Sequence, residues 1–116
     1  MADLTLDPEA IVQRQLEAYN AHDVEGFVAT YAEAAEIFAH PSTLLAKGAA
    51  QIRDRYAVRF RDYRPHAVVL KRIVIGSTVI DEEEITTTPA GIPQTARAVA
   101  IYEVQAGRIA RTWFIS

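Results

Sequence analysis

Two stretches of this chain hold residue types that can move protons. Ile37-Phe38-Ala39-His40-Pro41 is a short apolar run that stops on a histidine. An imidazole titrates near neutral pH, so His40 is suited to abstracting a proton next to a carbonyl. The second stretch, Asp81-Glu82-Glu83-Glu84, is a run of four acids. On a helix or loop such a run is a solvated face, but in a strand successive side chains point to opposite sides. An extended segment therefore sends two acids each way: Asp81 and Glu83 together with Val79 and Ile85, or Glu82 and Glu84 with Ile80 and Thr86. A slip of one residue exchanges the two sets. A carboxyl sent inside is pushed toward its protonated form unless it finds a partner, and an acid pair in a closed pocket can hold a base beside an acid. The available partners are His40, Tyr19, Tyr31, Tyr56 and Arg97. The competing arrangements are a hydrogen-bonded polar plug and a strand edge where all four acids reach water.

Other chemistries lack their residues. The chain has no cysteine, which removes thiolate nucleophiles, disulfides and zinc-thiolate sites and fits a reducing compartment. His22, His40 and His66 have no metal-ligand spacing, so neither a metal nor a cofactor is expected. Ser42 sits in no nucleophile elbow, and Ala46-Lys47-Gly48 is too generic for a phosphate loop. The net charge of −3 is small and no Lys/Arg stripe forms, which argues against nucleic-acid or anionic-membrane partners. No apolar run approaches the roughly 20 residues of a membrane span, and Met1 to Pro8 lack the basic-then-apolar pattern of a leader. A cytoplasmic protein of one domain, residues 1–116, is the expectation.

The elements that would position these residues follow from local signals. Asp7-Pro8-Glu9 opens a first helix, with a capping carboxylate, a proline at the first turn and an acid on the positive dipole end. Ile11, Val12, Gln15, Leu16 and Tyr19 recur along it at helical spacing. Asp23 caps a second helix whose buried face carries Phe27, Val28 and Tyr31. Ile37 to Ala39 reads as a short strand ended by His40-Pro41, since proline cannot donate to a ladder. A third helix follows Gly48, with Ala49, Ile52, Tyr56, Phe60 and Tyr63 on one stripe and Arg53, Asp54, Arg59 and Arg61 elsewhere. From Pro65 the period becomes extended: His66 to Ile75, a Gly76-Ser77 turn, Thr78 to Thr88, a looser Pro89 to Pro93 connection, Ala96 to Gln105, an Ala106-Gly107 turn, and Arg108 to Ile115. Helices followed by a meander predict an α+β fold, with three N-terminal helices packed on a strongly curved, mainly antiparallel sheet. Ala96, Ala98 and Ala100 alternate down one strand face, where they either leave space open or give the third helix room. His22 in the loop and His66 at a strand start are expected at exposed or edge positions.

With these elements in place, the chain resembles the nuclear transport factor 2-like superfamily, which includes ketosteroid isomerases, SnoaL-like polyketide cyclases, limonene epoxide hydrolases and scytalone dehydratases. The resemblance rests on Tyr19-Asn20-Ala21-His22-Asp23, Tyr31-Ala32-Glu33-Ala34-Ala35, Gly48 to Tyr56, and Ala106-Gly107-Arg108-Ile109 leading to Trp113-Phe114. It implies a cone-shaped α+β barrel, a pocket between sheet and helices, and a homodimer formed through the sheet. In ketosteroid isomerases an Asp-Pro pair supplies the base, and here His40-Pro41 stands closest to it. The tyrosine and protonated aspartate of that oxyanion hole fall on Gln15 and Ala100. The relay of limonene epoxide hydrolases needs an aspartate on the last strand, and here Ile109 to Ile115 carry no acid. Aligning the Gly76-Ser77 turn with the family turn favours Asp81 and Glu83 inward.

The resulting expectation is acid–base chemistry on an apolar, carbonyl-bearing small molecule. His40 would act as base or shuttle, Asp81 or Glu83 would orient it, and a tyrosine hydroxyl would stabilise the developing oxyanion. The pocket wall expected from the resemblance consists of Gln15, Tyr19, Tyr31, Phe38, Tyr56, Phe60, Ala100, Tyr102 and Trp113. A non-catalytic binding module and a dimeric interaction protein share the same fold.

Overall fold

The structure, a computed structural model, describes residues 7–116; residues 1–6 of the stretch from which no leader is expected lie outside them. Helix α1 spans Pro8–Asn20 and is capped by the Asp7 carboxylate, which accepts from the Glu9 N–H at 3.1 Å. Helix α2, Val24–Ala29, is capped by Asp23 through the Gly26 N–H at 3.0 Å. A Cβ at Gly26 would meet that same Asp23 carboxylate, so a larger residue there would have to shift the cap. Strands β1 (Tyr31–Ala39) and β2 (Thr43–Lys47) follow, then helix α3 (Ala49–Tyr63) and strands β3 (His66–Ile75), β4 (Thr78–Thr87), β5 (Gln94–Gln105) and β6 (Arg108–Ile115).

The six strands form one sheet in the order β2-β1-β6-β5-β4-β3. Every pairing is antiparallel except β1 with β6. The sheet is curved and unclosed, with β2 and β3 at its edges, and the three helices pack on one face. The core lies between these layers and is aromatic on the helix side. The Phe27 ring is fully buried and packs on Tyr19, Tyr31, Tyr56 and Phe60, with centroids 4.3–6.0 Å away. No described helix is long and apolar enough to cross a membrane.

Two corrections to the element reading matter. Tyr31 opens β1 rather than closing α2, and β1 begins there instead of at Ile37. The alanines and glutamates of 32–36 favour helix in isolation, but the chain pairs with β6 at Tyr31 and again from Glu36, and with β2 from Glu36, which holds the stretch between extended. Strand β2 itself has no counterpart in the sequence reading. The chain turns back at His40-Pro41 and pairs on β1, with Phe38 opposite Leu44.

The motif Tyr19-Asn20-Ala21-His22-Asp23 works as a corner. The Asn20 amide donates to the Ala67 carbonyl at 2.9 Å and accepts the Ala67 N–H at 2.8 Å, fastening α1 to β3. His22 is half-buried rather than exposed, its Nε2 lying 2.7 Å from the Pro65 carbonyl oxygen and its ring 5.6 Å from that of Phe60. His66 is exposed, at the strand start.

Candidate functional site

Strand β4 settles the phase of the four acids. Val79, Asp81 and Glu83 are buried and face the helices, whereas Glu84 is exposed and Glu82 pairs with Arg97 on the opposite face at 3.0 Å. Arg97 is therefore no partner for an inward acid. Pleating sets this arrangement, and the register Asp81 opposite Ala100 and Glu83 opposite Ala98 holds it.

The two inward acids sit in different surroundings. Asp81 is gripped by Arg72 through two parallel bonds, Nε to Oδ1 at 2.7 Å and Nη2 to Oδ2 at 2.9 Å. Arg72 also donates to the Gln13 Oε1 at 3.0 Å and lies 3.8 Å from Glu9. It reaches Asp81 because β3 carries a bulge between Val69 and Lys71. The extra residue reverses the alternation, so Arg72 turns inward where an unbroken strand would turn Lys71 in.

Glu83, 5% exposed, has no such partner. Its carboxyl makes no hydrogen bond to any described residue, and burial pushes its pKa up to about 7, with the Asp81 charge adding to the rise and Arg72 opposing it. It faces a cavity of about 300 Å³ between α1, α3 and the sheet, at the small end of the roughly 300–1,000 Å³ usual for ligand pockets.

Around Glu83 the wall is half aromatic and polar, half aliphatic. Gln15, Tyr19, Tyr56 and Tyr102 come from α1, α3 and β5. Leu16, Leu45, Ile85, Ala98 and Phe114 supply apolar surface, with Ala39 and Ser116 beside them, and Arg55 and Arg59 of α3 complete the wall. Burial pushes the Tyr19, Tyr56 and Tyr102 phenols up, which keeps them neutral donors. For Tyr102 the Glu83 charge is the next contribution, which places that phenol in the field of the carboxyl. The Tyr19 hydroxyl accepts from Arg59 Nε at 2.9 Å and keeps its own proton to donate.

Of the residues singled out in the sequence, the cavity thus brings together Gln15, Tyr19, Tyr56, Glu83 and Tyr102. Asp81 lies behind the wall on Arg72. Tyr31, Phe60 and Ala100 belong to the core; the Tyr31 hydroxyl accepts from Gln15 Nε2 at 3.4 Å and so backs the cavity without lining it. The Thr112 hydroxyl is buried and has no hydrogen-bond partner among the described residues.

His40 is not at the cavity mouth. Its ring is exposed, its backbone N–H donates to the Phe114 carbonyl at 2.8 Å, and Ala39 takes the inward position. Phe38 and Trp113 lie on the sheet face turned away from the helices and stack on each other, 5.8 Å apart and 15° from parallel. A bulge explains Trp113. Glu103 pairs with Arg111 and Val104 with Ile109, leaving Ala110 over, so the inward set passes from Ile109 to Thr112 and Phe114.

Leu45 escaped sequence reasoning because β2 did. Arg55 and Arg59 were legible only as a same-face pair one turn apart, one position off the Ile52–Tyr56–Phe60 stripe. Among the described residues no group of three histidines or acids could hold a metal ion.

The family model for the SnoaL-like domain matches residues 12–112. No curated protein matches by sequence. Among solved structures the chain is similar to an uncharacterised cystatin-fold protein from Novosphingobium aromaticivorans, with TM-score 0.86, 22% identity and 97% of each chain covered. It is also similar to a candidate polyketide cyclase from Xanthomonas campestris pv. campestris, with TM-score 0.84, 18% identity, and 94% of this chain and 89% of that one covered. An LEH-like epoxide hydrolase from M. tuberculosis matches at TM-score 0.82 and 13% identity, over 90% of this chain and 78% of that one. At these identities the likeness is one of fold.

Proposed function

The chain belongs to the SnoaL-like domain family, and from that premise we propose that it is a cofactor-independent acid–base enzyme of the isomerase, cyclase or dehydratase type. Its substrate is a small, mainly apolar molecule carrying a carbonyl. One observation supports this reading above the others: Glu83 is a buried carboxyl on a cavity wall, unpartnered by any described residue and held near pH 7. A group poised there gains and loses a proton with little cost at neutral pH.

In the proposed step the ionised Glu83 takes a proton from the carbon next to the carbonyl. The C–H bond breaks, an O–H bond forms on Glu83, and the electron pair moves onto the carbonyl oxygen as an enolate. Tyr102, a neutral phenol in the field of Glu83 with no described hydrogen-bond partner, donates to that oxygen. Glu83 then returns the proton to the same or another atom. His40, outside the cavity, has no part in this step.

Hydrogen exchange tests the reading. Small aryl and cyclic ketones in D2O, followed by proton NMR, should lose their α-proton signals faster with the protein than without it. Glu83→Gln should slow that exchange roughly 10²–10⁴-fold. An equal rate in the variant removes Glu83 as the base, and no acceleration at all identifies a binding module.

The proposed partner is a second copy of this chain on the outer sheet face. One row crosses all six strands there: Ile73, Ile80, Ile101, Trp113, Phe38 and Leu44 stand side by side in register. The row above it carries Glu103, Arg111, Glu36 and Lys47 in alternating sign, a pattern that a copy turned by a two-fold axis can complement. The lack of cysteine fits action in the cytoplasm.

A further inference from the structure

The proton transfer leaves two cavity residues unused. Arg55 and Arg59 lie one turn apart on α3, and both line the cavity. Arg53, Arg61, Arg72, Arg97 and Arg111 each rest on a carboxylate; Arg55 and Arg59, like Arg14, Arg64 and Arg108, form no ion pair with any described residue, and they are the arginines that line this cavity. Arg59 is half-buried, and its Nε is fixed by the Tyr19 hydroxyl, with the guanidinium carbon 6.0 Å from the centre of the Tyr19 ring. That bond sets the plane of the guanidinium and leaves both terminal nitrogens as donors, beside a tyrosine proton that is also free to donate. Paired, parallel N–H donors match a carboxylate better than they match a ketone or an amide.

We infer that the ligand of this cavity carries a carboxylate, seated on Arg59 and Tyr19 with Arg55 at its outer side, so that the substrate class is a small apolar oxo acid. The inference rests on the proposed acid–base reading for the carbonyl and adds the anionic end to it. The apolar body of such a molecule fits against Leu16, Leu45, Ile85 and Phe114. Its carboxylate would give the exposed Arg55 and the half-buried Arg59 an ion-pair partner that no described residue supplies.

Calorimetric titration with 3-phenylpropanoate and with 3-phenylpropanamide, its neutral counterpart of the same shape, tests this. The acid should bind at least about tenfold more tightly than the amide, as expected for charge-assisted bonds. Arg59→Gln should remove that preference, and Arg55→Gln should reduce it. Tyr19→Phe, which keeps the ring in the core, should also weaken the acid selectively, so the outcome does not depend on one variant folding. Equal affinity for acid and amide, a preference that survives Arg59→Gln, or no binding of the acid at millimolar concentration each overturns the inference. Glu83→Gln separates the two proposals. An acid preference with no Glu83-dependent exchange sinks only the catalytic reading, and Glu83-dependent exchange of neutral ketones with no acid preference sinks only this one.

Discussion

Asp81 and Glu83 stand two positions apart on one strand face, and their difference lies entirely in what surrounds each carboxyl. Asp81 has a guanidinium fork on it; Glu83 has a cavity. The charge on Asp81 also reaches Glu83 and helps hold its proton on. This has a consequence for stability. The folded chain keeps a proton on Glu83 up to about pH 7, whereas the unfolded chain releases it near 4.5. Between those values the folded state binds more protons, so the free energy of unfolding falls as pH rises through the window, by a total of about 3 kcal/mol. Urea unfolding of wild type and Glu83→Gln from pH 4 to 8 should show that decline in the wild type and a flatter profile in the variant. Parallel profiles would mean that Glu83 titrates as an ordinary surface acid.

Among the elements, β4 was the most legible, because strict alternation allowed only two answers and turn alignment chose between them. The meander from His66 to Ile115 was legible for the same kind of reason, each turn being marked by Gly or Pro. Alternation failed where a strand bulged. The extra residue near Leu70 turned Arg72 inward, and the one at Ala110 turned Trp113 outward. Neither bulge leaves a mark in the local residue pattern, since both arise from pairing with a distant strand. His40 misled for a related reason: the run ahead of it is a strand, but its inward residues are Ile37 and Ala39. The Tyr19–Asp23 motif was recognised as specific, and its purpose proves to be the corner joining α1 to β3. Asn20→Ala removes two bonds to Ala67 and leaves that half-buried backbone unpaired, which should cost about 1–3 kcal/mol. Thermal unfolding measures the loss, and an unchanged Tm would show that the corner is held by packing alone.

At the scale of the whole molecule, the two faces of the sheet divide the labour. The inner face holds the aromatic core and the cavity, and the outer face presents the apolar row from Ile73 to Leu44. Half-exposed aliphatic residues such as Ile73 and Leu44 on a face with no described element over it call for a cover. In the proposed homodimer the row from each copy lies on the other. Sedimentation at micromolar concentration should then give twice the 12.9 kDa chain mass, and Ile101→Lys, at the middle of the row, should return the single-chain mass with the fold intact. A wild type that sediments as one chain would contradict the dimer while leaving the cavity chemistry untouched.

The proposed chemistry depends on one carboxyl being poised where the sheet meets the cavity. Carbon-detected NMR of the glutamate carboxyls, assigned through Glu83→Gln, reads it directly. The expected result is a Glu83 midpoint near pH 7 that moves down in Asp81→Asn, where the charge that helps raise it is gone. A midpoint at the ordinary glutamate value of 4.5, unmoved by the loss of Asp81, would contradict the account.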